Sequence, residues 1–173
     1  MHLFHKKTGS VLIEAMVGLS LIILSFGGIV ALVTRGFQLN VDALNKFVAV
    51  NLANEGIEII KNSLDTNLFE ANSGWNTIQS GMYELDYTCD RIDVSPCSYY
   101  AAGGRSSVYL KKSTDGVYSY ENGTDSPFKR SVVVDASNAD SVYVYSIVRW
   151  DNKGTEEEVQ ISDVFRRWRK DPS

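Results

Sequence analysis

Between residues 15 and 33 the chain reads AMVGLSLIILSFGGIVALV, nineteen positions without one charge. At about 1.5 Å of rise per residue a helix of this length covers roughly 28 Å, close to the ~30 Å hydrocarbon layer of a bilayer. A helix apolar on every side needs either lipid or a protein core around it, and the rest of this chain is too polar to enclose it. The run is therefore expected to cross a membrane. With 173 residues in all, the chain has room for one such segment and one modest domain, not for two full enzymatic domains.

The flanks say what kind of segment this is. Ahead of it stands MHLFHKKTG, with Lys6 and Lys7 and no acid, like the positive region of a targeting signal, and it is expected to stay cytoplasmic. In a secretory signal the small-residue cleavage site follows the apolar stretch. Here the small residue, Gly9, precedes it, so cutting there keeps the hydrophobic helix. Lys6 and Lys7 before the span face Arg35 and Lys46 after it, so the positive-inside rule hardly chooses an orientation. Both histidines, His2 and His5, lie in the leader, which removes Ser-His-Asp, Cys-His and histidine-zinc chemistry from a chain that loses it. With no nucleophile motif either, the chain is not expected to be an enzyme, and no cofactor is implied. A net charge of −4, from 17 basic and 21 acidic residues, argues against nucleic acid as a partner.

Glu14 interrupts this apolar region, within SVLIEAMVGL. A carboxylate in hydrocarbon costs about 2.5 to 3.5 kcal/mol on insertion scales, so an acid there calls for a partner. KKTG followed by SVLIEAMVGLSLIIL resembles the leader and N-terminus of type IV pilins and of the pseudopilins of type II secretion: a short basic leader, Gly, a few hydrophobics, and Glu at the fifth mature position. The resemblance implies cleavage between Gly9 and Ser10 by a prepilin peptidase and N-methylation of Ser10, which stands where the family usually has Phe. It implies that Glu14 neutralises the N-terminal amine of a neighbouring subunit during assembly. The partners it implies are other pilin subunits through their spine helices, a membrane assembly platform with its cytoplasmic motor ATPase, and the cytoplasmic membrane before assembly.

Beyond residue 33 the helical period continues. Phe37, Val41, Leu44, Val48 and Leu52 fall on one stripe, followed by Ile59 and Ile60. No proline occurs before Pro96, so one helix over residues 10–64 is expected, roughly 80 Å long at 1.5 Å per residue. This is similar to the spine helix of pilins. Gly27 and Gly28 weaken it locally and are candidates for unwinding on assembly, or for close helix packing. Glu55, Glu58 and Lys61 read as a solvated face with a weak ion pair.

Residues 65–105 read as a connector with one or two short strands, for instance 82–88. Cys89 and Cys97 lie inside it, and in an exported domain they are expected to form a disulfide closing the CDRIDVSPC loop. From residue 106 to 170 the chain reads as antiparallel sheet: short strands at 107–110 and 116–120, longer ones at 128–134 and 141–150, then a DNKG turn into 156–165. In SVYVYSIVRW, Val142, Val144, Ser146 and Val148 share one face. The acidic run DNKGTEEE lacks the alternating oxygens of a calcium loop. Arg166, Arg167, Arg169 and Lys170 around Trp168 make a basic terminal cluster.

The expected organisation is a leader (1–9), a membrane half of the helix (10–34), an amphipathic half (35–64), the connector (65–105) and the sheet (106–170): an α+β pilin fold. The expected function is a structural subunit, a minor pilin, of a type IV pilus-like filament, held in the cytoplasmic membrane as precursor and displayed at the cell surface when assembled. The alternatives are a minor pseudopilin of a type II secretion system and a membrane-anchored binding domain that never polymerises.

Overall fold

The computed structural model describes residues 8–69, 78–89, 98–100 and 108–167. One long N-terminal apolar helix, whose C-terminal part packs on an antiparallel β-sheet, gives an α+β layout. The chain divides into two units, Met1–Leu44 and Asn45–Ser173.

Helix α1 is continuous over Thr8–Phe69. It passes the expected end at residue 64 because its buried face continues: Ile57, Ile60, Leu64 and Asn67 recur at helical spacing, and packing overrides the weak propensity of the last turn. Burial on the helix begins at Ala49. Along the apolar stripe, Phe37, Val41 and Leu44 are exposed, Val48 is half-buried, and Leu52 and Ile60 are buried.

Five strands form the main sheet in the order β2-β1-β6-β7-β8, every pairing antiparallel. They are β1 (Gly81–Glu84), β2 (Ser98–Tyr100), β6 (Phe128–Asn138), β7 (Ser141–Asn152) and β8 (Thr155–Arg166). A smaller sheet, β4-β3-β5, comprises β3 (Lys111–Lys112), β4 (Tyr118–Ser119) and β5 (Thr124–Asp125). The strand expected at 107–110 is not one over its described residues. Leu110 is buried, donates to the Phe128 carbonyl and accepts from the Ser126 amide, and strand pairing starts only at Lys111. The strand expected over 82–88 stops at Glu84. Asp86 then turns the chain, its carboxylate accepting from the Thr88 amide and hydroxyl. The expected strand 116–120 shortens to Tyr118–Ser119, since Gly116 sits in a turn at φ 85°.

The β6–β7–β8 meander follows from its alternation. Val142, Val144, Ser146 and Val148 are buried on one face, while Tyr143, Tyr145, Ile147 and Arg149 alternate outward. Lys153 (φ 55°) and Gly154 (φ 87°) close the two-residue β7–β8 turn, both in the left-handed conformation that such hairpins require. Two clusters fill the space between helix and sheet. Ile57, Ile60 and Leu64 meet Tyr83, Leu85, Val132, Val134, Val142 and Val144, while Ala49, Leu52 and Ala53 meet Leu110, Phe128, Val148 and Trp150. Each large side chain buried this way contributes about 1.5 to 3 kcal/mol.

Candidate functional site: an apolar span with one carboxylate

The first half of α1 presents apolar side chains in all directions. Val11, Leu12, Ile13, Met16, Val17, Leu19, Leu21, Ile22, Ile23 and Leu24 are all exposed, and successive residues at about 100° intervals leave no polar side. An apolar surface of this extent is not stable against water. The helix is long and apolar enough to cross a membrane. Its few hydroxyls turn inward: Ser20, Ser25 and Thr34 donate to the carbonyls of Met16, Leu21 and Val30 at 2.7, 2.7 and 2.9 Å, one turn back on the same helix.

Glu14 is an exposed helical residue one turn after Ser10, and four residues place the two on one face. Gly9 is also helical, so the Gly9–Ser10 bond lies in the first turn of α1. Through Gly27 and Gly28 the helix is unbroken, and a Cβ at either position would meet only open space. Cys89 is disulfide-bonded; Cys97 lies outside the described residues.

Within the second unit, a polar arrangement in the core went unread in the sequence. Arg130 on β6 is wholly buried. Its guanidinium donates to the Leu52 carbonyl at 2.9 Å, to the Leu85 carbonyl, and pairs with the Glu55 carboxylate at 3.3 Å. Glu55 is therefore half-buried against a core cation instead of lying on a wholly solvated face, as expected above; Glu58 and Lys61 are solvated, with an exposed pair at 3.4 Å. Tyr120 donates to the Arg130 carbonyl, its phenol kept protonated because burial pushes its pKa far above the ordinary value. Asp86 accepts from the Tyr120 amide at 2.9 Å. Helix, sheet and the turn after β1 thus share one hydrogen-bonded node. The signal for it was parity: Arg130 alternates with Phe128, Val132 and Val134 on the buried face of β6. Beside it, Gly56 leaves room on the helix for Ser146 and Val132; a Cβ there would stand 2.6 Å from Ser146 Oγ and 2.9 Å from Val132 Cγ2.

At the β7–β8 turn the acids of DNKGTEEE take protein partners. Asp151 accepts from the Gly154 amide, Glu158 pairs with Arg149 at 3.0 Å, and Glu157 accepts from Asn152 and pairs with Lys46 at 3.5 Å.

Comparison of the chain with protein-family models, with curated proteins and with solved structures found no match. Fold and site define one apolar helix able to span a membrane, leading without a break into an α+β domain.

Proposed function

We propose that the chain is a structural, non-enzymatic subunit of a type IV pilus-like filament, and that its domain has a pilin fold. The observation that carries this is the isolation of Glu14, the only charge between Ser10 and Thr34 on a helix apolar all round and continuous with the packed domain. An amine at Ser10, created by cleavage after Gly9, and the Glu14 carboxylate are each costly in lipid alone and stabilise each other at close range. Pairing between adjacent subunits would set the register of spine helices as they leave the membrane and pack in a filament core. The sheet would then be displayed outside.

The test is intact mass and N-terminal sequencing of the protein from its host, with the prepilin peptidase present and deleted. A terminus at Ser10 that disappears in the deletion supports the proposal. A Met1 terminus in both strains overturns it and leaves a signal-anchored domain.

A further inference from the structure

We infer that a small cavity on the sheet face turned away from the helix binds a carboxylate-bearing sugar unit, a uronate, whether or not the subunit polymerises. The cavity measures about 180 Å³ and lies wholly within the second unit. Pockets for drug-sized ligands run from roughly 300 to 1,000 Å³, so this one has room for a single small unit.

Strand parity builds it. Phe128 and Trp150 are buried toward the helix, so their neighbours Lys129, Arg149 and Asp151 alternate to the opposite face. Leu110, also buried, donates to the Phe128 carbonyl, and Tyr109 before it comes to stand on the same side as Lys129. Lys129 and Arg149 are direct partners across β6 and β7, and like charges in that relation repel unless anions serve both. Arg149 is served by Glu158 at 3.0 Å and Glu156 at 3.9 Å. Lys129 has no carboxylate among the described residues. Its ammonium rests over the Tyr109 ring, 4.3 Å from the centroid, which holds the charge in the cavity without neutralising it. The Tyr109 hydroxyl likewise has no hydrogen-bond partner among the described residues.

Two residues farther along β7, roughly 6.8 Å away, stands Asp151. It is exposed, and among the described residues only its Oδ1 is engaged, by the Gly154 amide at 3.0 Å. The two positions serve different groups. Lys129 and the Tyr109 hydroxyl offer a cation and a donor to an oxyanion, while the second oxygen of Asp151 accepts from hydroxyls. A hydroxylated ring carrying one acid meets both. With Asp151, Glu156 and Glu158 close by, a dianion is repelled more than a monoanion, which selects a carboxylate over a phosphate.

Full-length chain in detergent micelles would be titrated with glucuronate and followed by saturation-transfer NMR on the sugar protons. Saturable binding with a Kd of about 1 mM is expected of so small a site. Lys129→Gln should raise that Kd about tenfold, and Tyr109→Phe and Asp151→Asn about threefold each, whereas Lys129→Arg, which keeps the cation, should stay within about twofold. Glucose, with hydroxyls and no acid, and acetate, with the acid alone, should each bind at least about tenfold more weakly than glucuronate. Absence of glucuronate binding, equal binding of glucose or acetate, a preference for glucose 6-phosphate, or equal Kd values for Lys129→Gln and Lys129→Arg would overturn the inference.

Discussion

Arg130, with no exposed side-chain surface, reaches across from β6 to Glu55 on the helix, N to O 3.3 Å. The same guanidinium satisfies the Leu52 carbonyl, so one buried cation ties two successive turns of α1 to the sheet. Removing one partner of a buried pair costs more than the pair contributes, because the other is left in low dielectric.

Arg130→Ala is expected to destabilise the domain by about 3 to 5 kcal/mol, and Glu55→Ala, at a partly solvated position, by about 1 to 2. Urea unfolding of the full chain in mild detergent, followed by tryptophan fluorescence, measures both. A double variant equal to the sum of the singles would show that the two residues do not interact.

Gly56→Ala tests the close approach of helix and sheet. Alanine improves helix propensity by about 1 kcal/mol, but the contacts at Ser146 Oγ and Val132 Cγ2 force the core apart, and the net expectation is a loss of about 1 to 2 kcal/mol. Ser146→Ala removes the nearer atom and a buried hydroxyl without a hydrogen-bond partner among the described residues. It should be neutral or stabilising alone and should recover part of the Gly56→Ala loss in thermal melts.

Glu157 supplies a pH dependence. The Asn152 side chain, then Lys46, hold its carboxyl below the ordinary value. A folded pKa depressed in this way contributes stability that is present above the unfolded pKa and lost as pH falls through the folded one. Asn152→Ala should raise the Glu157 pKa in an NMR titration more than Lys46→Ala does, and should shrink the stability lost on acidification below the ordinary carboxylate range. A pKa unchanged in both variants would contradict the assignment.

For Glu14, the filament proposal predicts that Glu14→Ala leaves the protein processed and membrane-bound but absent from sheared filaments. An anchor with no assembly role would tolerate the change or insert slightly better, since a charge leaves the lipid. Immunoblots of membrane and sheared fractions distinguish the two.

The helix and the last three strands were legible because each is governed by local periodicity: an apolar run without proline, then alternation broken by a DNKG turn. The placement of β1 beside β6 was not, since pairing across some fifty residues leaves no local signature. The two-residue strands β3, β4 and β5 are too short for a period to register. The pairing of Glu55 was missed because its spacing to Glu58 and Lys61 is that of a solvated face; only the position of Arg130 in the strand alternation points to a buried cation beside it. On the apolar span, composition alone carried the assignment and singled out Glu14, whereas the inward turn of the hydroxyls became visible only with coordinates.

Those hydroxyls have a consequence for how neighbouring spans could tell one alignment from another. Ser20, Ser25 and Thr34 bond one turn back on their own helix, so these three hydroxyls offer no donor to a neighbouring helix. Displacement by a single turn, about 5.4 Å, would move no charge along the span other than Glu14. Under the filament proposal, Glu14 is therefore the one charged mark along the span by which a neighbouring helix finds its alignment.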